Sequence, residues 1–355
     1  MAVMKAILLA GGKGTRLRPL TIHTPKPIVP IFGRPFLHYQ LDLLRKIPDV
    51  DEVVLSLNYQ PRRIEEVFGH GDGLGVRISY VVEPQPLGTA GAVRYAGGSL
   101  DDTLVVFNGD VMTAVDLAAV IALHRERRAK ATIVLTPVDN PAAYGLVKTD
   151  PRGNVLDFCE KPKPEEITCN TINAGIYILE PDTLGRIPKD TAWSIERSYF
   201  PSLVQDGETF VAYIYNGYWI DIGTPDKYRL VHDDIMDGRF LAHPFDGRPT
   251  ATPLVSPDAK VEDGALLEGA CFVGPGAVVK SGARVAPHSV VGQDCWIEEE
   301  ATIEGAILWA NTRIGRDASV RGAVLGRHCH VGRSASVCPG VVLGDKSVVT
   351  DYSRH

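Results

Sequence analysis

The chain contains no apolar run approaching the roughly 20 residues that a membrane span needs. Its N-terminal apolar stretch is shorter than a secretory leader and runs straight into a glycine loop, so neither a leader nor membrane contact is expected. A basic excess is missing too. Lys and Arg number 37 against 43 Asp and Glu, a net charge of −6, which argues against a broad nucleic-acid-binding face. A local basic pocket for phosphates remains compatible with that balance. Paired thiols are the third absence. Cys159, Cys169, Cys271, Cys295, Cys329 and Cys338 form no C-x-x-C pair, which removes the ordinary zinc and disulfide frameworks and points to reduced thiols in a cytoplasm. His328 and His330 flank Cys329, but two imidazoles on one strand face do not complete a metal site.

What is present divides into two halves with different patterning. Up to about residue 235, short β-rich runs such as Glu52–Leu57, Thr103–Phe107 and Ala131–Leu135 alternate with amphipathic stretches such as 36–47 and 116–129. That alternation predicts βαβ units and a mostly parallel, Rossmann-like α/β sheet, with ligands beyond the carboxyl ends of its strands. From about residue 250 aliphatic residues recur every six positions, from Val255, Val261 and Leu267 to Ile303. The phase slips by one to Leu308, Ile314 and Val320, and again to Leu325, Val331, Val337, Leu343 and Val349. A six-residue period predicts a β-helix of three short strands per coil, each aliphatic pointing inward. The expected division is 1–236, a Pro- and Gly-rich linker 237–254, and a β-helix 255–355. No inserted loop interrupts the repeats, and His288 and His330 read as surface turn residues.

The chemistry concentrates in the first half. Gly11-Gly-Lys-Gly-Thr-Arg16 leaves the apolar run Ala6–Ala10, where backbone N–H groups can face phosphate oxygens. It is not a Walker loop, and Leu17 stands where a Rossmann fingerprint needs its third glycine. Arg16 adds fixed charge, and Pro25 and Pro27 restrain Lys26. Asp110, after Phe107-Asn-Gly109, and Asp221 are candidate Mg²⁺ ligands. Lys161 could grip a second phosphate, its bland alternative being a surface ion pair with Glu160. Asn173 could bind sugar hydroxyls or form a turn. Glu196 is a hydroxyl-binding carboxylate or part of a helix start. The loop Glu83-Pro-Gln-Pro-Leu-Gly-Thr-Ala-Gly91 opens a helix, and the backbone near Leu87 and Gly88 could read a base edge.

Together GGKGTRLRPLT…PKP, EPQPLGTAGA, NGD, FCEKP, NAGIYIL, SIERSYFP and GYWIDIGTPDKY resemble the sugar-nucleotide pyrophosphorylases (sugar-1-phosphate nucleotidylyltransferases) from Lys5 to about Met236. LGTAG, SxE…FP and GYWxDIGTPxxY look most like the mannose-1-phosphate guanylyltransferases, which commonly end in a left-handed parallel β-helix. The resemblance implies that a sugar 1-phosphate attacks the α-phosphorus of an NTP, GTP with mannose 1-phosphate first among the pairs, and releases pyrophosphate. It implies that Ala10, Gly11, Gly12, Gly14 and Thr15 wrap the triphosphate, with Arg16 at the pyrophosphate and Lys26 toward the α-phosphate. Asp110 and Asp221 then hold Mg²⁺, and Lys161 contacts the sugar phosphate. Gly109, Gly145, Glu160, Asn173 and Glu196 approach the sugar; Gln85, Leu87, Gly88 and Thr89 lie by base and ribose. A dTDP-, UDP- or ADP-glucose enzyme and a non-catalytic regulatory homologue are the alternatives. The β-helix is expected to serve structure and homo-oligomer assembly.

Overall fold

The computed structural model describes residues 4–98, 102–160, 162–246 and 251–355. The chain divides into two compact units, one of residues 1–12 and 37–220, the other of residues 13–36 and 221–355.

The first unit is built on β1 (Met4–Leu9), β2 (Val50–Leu57), β3 (Arg77–Val82), β4 (Thr103–Asn108), β5 (Ala131–Pro137), β6 (Gly145–Thr149), β7 (Val155–Glu160), β8 (Thr171–Leu179) and β9 (Phe210–Ile214). Among the described residues these make one nine-stranded sheet in the order β7-β6-β8-β4-β1-β2-β3, with β5 bonded to β8 and β9. Strands β4, β1, β2 and β3 are parallel, as are β5 and β9. β8 runs against β4 and β5, and β7 against β6. The parallel half and its helices are the Rossmann-like part that the alternation predicts. Ala6, Ile7 and Leu8 are fully buried because a central parallel strand is covered on both faces. Helices α1 (Leu37–Leu44), α2 (Pro61–Phe68), α3 (Gly88–Ala96), α4 (Leu117–Glu126) and α5 (Phe200–Gln205) supply those covers. Asp116 starts α4 by accepting from the Ala118 and Ala119 N–H groups at 3.0 and 3.2 Å.

β8 begins two residues before Asn173, at Thr171. Asn173 is the third residue of β8, and the pairing with β5 breaks between Asn173 and Tyr177. Gly175 lies there with φ +75°, a conformation that suits glycine.

The second unit contains α6 (Pro225–Met236), capped by Thr224, and a parallel β-helix of two- and three-residue strands in three sheets. Val255, Val273, Val291, Leu308, Leu325 and Leu343 stack up one sheet. Each buried aliphatic is worth roughly 1.5–3 kcal/mol. Exposed pairs such as Arg284–Glu268 are screened by water and add little, so the interior column holds the coils together. The two phase slips fall at Gly305 and Gly322, with φ of +55° and +51°. They stack, since Gly322 N–H donates to Glu304 O at 2.8 Å. A shortened corner in one coil is thus matched by a shortened corner in the next.

His330 departs from the expectation of a turn. It opens the strand His330–Val331 between Arg313 and Val348, because the hexapeptide phase assigns it to a strand position. His328 is the turn residue, with φ +57°. His288 does sit in a turn, at φ +58°. Of the expected linker, 247–250 lie outside the described residues. Phe240, Ala242 and Phe245 within it are buried. No disulfide joins any of the six cysteines. Among the described residues no helix is long and apolar enough to cross a membrane.

Two buried imidazoles give the fold a pH dependence. His232, in α6, meets the Tyr228 carbonyl at 2.8 Å through Nδ1, while its buried Nε2 has no partner among the described residues. Burial lowers its pKa from 6.5 to about 4, and burial lowers that of His124 as well. Between those values the unfolded chain binds the proton that folded His232 refuses. Stability is therefore full above pH 6.5, falls as pH drops toward 4, and loses nothing more from this residue below that. The expected loss from His232 is about 2 kcal/mol by pH 5. Urea melts at pH 7 and pH 5 measure it, and His232→Gln should flatten the difference. An identical pH dependence in both proteins would remove His232 as its source.

Candidate active site

At the carboxyl end of β1 the chain turns sharply. Ala10 is buried, and its N–H donates to Ser56 O at 2.9 Å. A Cβ on Gly11 would stand 3.1 Å from Asn58 N and 3.3 Å from Glu83 Oε1, whereas one on Gly12 would meet nothing within 4 Å. Gly11 thus lies against the sheet and Gly12 presents open backbone. Glu83 is buried and accepts two hydrogen bonds, Oε1 from the Ser56 hydroxyl at 3.0 Å and Oε2 from the Leu87 N–H at 2.9 Å. It pins the 85–89 loop next to Gly11. Gln85 is exposed, Leu87 is buried, and Gly88 begins α3 at φ +68°. The loop is also sewn to 193–196. Trp193 N–H donates to Leu87 O at 2.8 Å, and Thr89 Oγ1 donates to Glu196 Oε2 at 2.9 Å. Ser194 caps the turn of helix that carries Glu196 and its hydroxyl donates to Glu196 Oε2 at 2.9 Å, so this glutamate does belong to a helix start.

Asp110 follows β4 in a turn braced from below. Gln40 Nε2 donates to the carbonyls of Asn108 and Val111, each at 2.9 Å. Gly109 N–H donates to Leu9 O at 3.0 Å. Tyr177 lies at the centre of this region, wholly buried, its oxygen 2.8 Å from Asn173 Nδ2 and 3.4 Å from Asn108 Nδ2. Burial raises the phenol pKa well above its usual value, and the charges of Glu196 and Asp110 push it the same way. The negative charge of both carboxylates thus acts on one hydroxyl. Asn173 Oδ1 accepts the Gly175 N–H at 2.8 Å, the turn-forming bond weighed above. Gly145, buried, stands opposite Glu160 where β6 and β7 pair. Lys161 lies outside the described residues.

In the second unit Gly14 has φ +61° and its carbonyl accepts the Thr21 hydroxyl at 2.7 Å. Thr15 and Arg16 are exposed, while Lys26 is 9% exposed. A Cβ on Gly14 would lie 3.4 Å from Lys26 Cβ. A Cβ on Gly223 would lie 2.9 Å from Arg16 Nη2, so this glycine makes room for the guanidinium. Gly223 N–H donates to Asp221 O at 2.9 Å, and Asp221 forms an ion pair with Lys227. Arg16 and Asp221 are thus held around one short turn. Among the described residues no group of three or more His, Cys, Asp and Glu is placed to hold a metal. Asp110 in the first unit and Asp221 in the second each offer hard carboxylate oxygens, the chemistry that suits Mg²⁺.

Sequence reasoning passed over Glu83, Gln40, Tyr177, Gly223 and Lys227. Glu83 opens a quoted motif, and a carboxylate four residues before a backbone N–H at a helix start was a usable signal. Nothing local marks Gln40, whose partners lie about seventy residues on.

The nucleotidyl transferase family model matches residues 5–238, and the EIF2B subunit epsilon LbH domain model matches 254–354. A mannose-1-phosphate guanylyltransferase of Mycobacterium tuberculosis is 40% identical over 282 residues, 79% of this chain and 77% of that protein. A UTP--glucose-1-phosphate uridylyltransferase of Synechocystis is 33% identical over 330 residues, 88% of this chain and 84% of that protein. Among solved structures, HddC from Yersinia pseudotuberculosis complexed with GMP-PN aligns at TM-score 0.54 and 30% identity, over 64% of this chain and 96% of that one.

Proposed function

The chain belongs to the nucleotidyl transferase family, and from that premise we propose that it joins GTP and mannose 1-phosphate into GDP-mannose with release of pyrophosphate. One contact carries the reading: the 2.9 Å bond from Thr89 to Glu196 ties the segment assigned to the nucleotide to the one assigned to the sugar. The guanylyl and mannosyl choice is supported by the Mycobacterium tuberculosis relative, and the guanine choice also by the GMP-PN complex of HddC. The Synechocystis relative favours a second reading, UTP with glucose 1-phosphate.

In the proposed mechanism residues 1–236 form the transferase. The backbone of Gly11, Gly12, Gly14 and Thr15 holds the triphosphate. Arg16 stabilises departing pyrophosphate and Lys26 the α-phosphate, where negative charge accumulates. Lys161 orients the sugar phosphate, whose oxygen is already ionised at neutral pH and needs no general base. Gly109, Gly145, Glu160, Asn173 and Glu196 fix the sugar. Gln85, Leu87, Gly88 and Thr89 meet base and ribose. Asp110 and Asp221 are the carboxylates we assign to Mg²⁺, which when bound neutralises phosphate charge. Cysteines that form no disulfide suit a cytoplasmic enzyme. We assign the β-helix to assembly of a homo-oligomer.

A pyrophosphate-release assay over four NTPs and several sugar 1-phosphates tests the specificity. GTP with mannose 1-phosphate should give the highest kcat/KM. Faster turnover with UTP or dTTP and glucose 1-phosphate would move the enzyme to the second reading, and no turnover on any pair would leave a regulatory homologue.

A further inference from the structure

The β-helix shares a unit with residues 13–36, and it grips them on both sides of Lys26. Thr24, Pro25, Lys26 and Pro27 are all buried. Before Lys26, the guanidinium of Arg327 donates to Thr24 Oγ1 and lies 5.0 Å over the Trp309 ring. After it, Trp309 Nε1 donates to the Tyr228 hydroxyl at 2.8 Å, and that hydroxyl donates to Pro30 O. Phe32 meets Phe272 edge-on, with centroids 5.5 Å apart. Thr24 and Tyr228 are fully buried and Trp309 is 2% exposed, so these are core contacts and not surface docking. Buried polar groups tolerate little displacement, because a lost bond leaves its mate unsatisfied.

We propose that the β-helix is a working part of the transferase: through Arg327, Trp309 and Tyr228 it fixes the backbone on both sides of Lys26 and so sets where the ammonium stands. The three act as positioning residues, and the proposal rests on Lys26 being a phosphate ligand. A structural appendage would tolerate loosening of these contacts without a catalytic effect. A positioning device loses kcat while sugar binding, assigned to the other unit, stays as it was.

The experiment uses the full chain with Tyr228→Phe and Arg327→Ala, beside Lys26→Ala. Tyr228→Phe keeps the ring and removes only the hydroxyl that links Trp309 to Pro30. Two readouts are taken: steady-state kinetics, and hydrogen exchange at the amides of Lys26, Ile28 and Val29. Both variants should lower kcat about tenfold, a loss on the scale of small misplacements, with KM for the sugar 1-phosphate unchanged. Exchange in the Lys26 segment should quicken while that of residues 278–303 in the coils does not. Unchanged exchange at those three amides overturns the proposal. So does faster exchange with kcat within about twofold of the parent, or exchange that rises equally throughout the coils. Should the parent or Lys26→Ala contradict the proposed function itself, by absent turnover or by normal turnover respectively, exchange alone still decides whether the β-helix holds the segment.

Discussion

Asp110→Asn is expected to lower kcat by about 10²–10³-fold, a loss typical of removing one electrostatic group from a transferase site. The substitution keeps the size of the side chain. The turn that carries it is held through backbone carbonyls by Gln40, so the local fold should persist. What disappears is a negative charge that, with that of Glu196, acts on Tyr177. Pyrophosphate release measured across a range of Mg²⁺ concentrations separates the cases. A variant that needs more Mg²⁺ and still turns over slowly agrees with a ligand role. Near-normal, Mg²⁺-dependent rates would remove Asp110 from the proposed site.

The β-helix was legible because its code is local and repeated. Each coil needs one inward aliphatic per strand, so the spacing Val255, Val261, Leu267 announces the period. Even the slips were visible, though not their cause, because the sequence does not say that Gly305 and Gly322 occupy the same corner of successive coils. The parallel core was legible for a related reason: β1, β2 and β4 are buried on both faces and read as continuous apolar runs. The antiparallel half was less so. Tyr177 and Asn173 meet through a break in the β8 pairing that depends on Gly175, and a pattern of alternation carries no mark of it. The unit boundaries were the least legible. Residues 13–36 follow β1 directly, yet they pack with a β-helix more than two hundred residues away in sequence. Thr24 and Arg327 are 303 positions apart, and neither has a motif around it that names the other. The site was legible where chemistry is tied to a motif, and hidden where a residue such as Glu83 or Gln40 supports a loop from outside.

Gly109→Ala should damage both fold and activity. Gly109 N–H donates to Leu9 O, so the two backbones are in contact where β1 hands over to the glycine loop. An added Cβ would lie 2.4 Å from Leu9 O, 3.0 Å from Leu9 C and 3.1 Å from Ala10 Cα. All three are backbone atoms, and none can rotate aside as a side chain would. Either β4 and β1 separate at their ends or the turn carrying Asp110 moves. Overpacking of this kind costs about 2–4 kcal/mol, which places the fall in Tm on the order of 10 °C. Turnover should fall further than the fraction folded explains, because the same displacement shifts Ala10 and Gly11 as well as Asp110. Gly12→Ala is the control for folding. With nothing within 4 Å of its added Cβ, it should melt within about 2 °C of the parent, even if phosphate binding suffers. Thermal melts and turnover of the two variants side by side decide the matter. Equal melting of Gly109→Ala and parent would show that β1 and the Asp110 turn can part freely, and the tight approach would then have no part in placing Asp110.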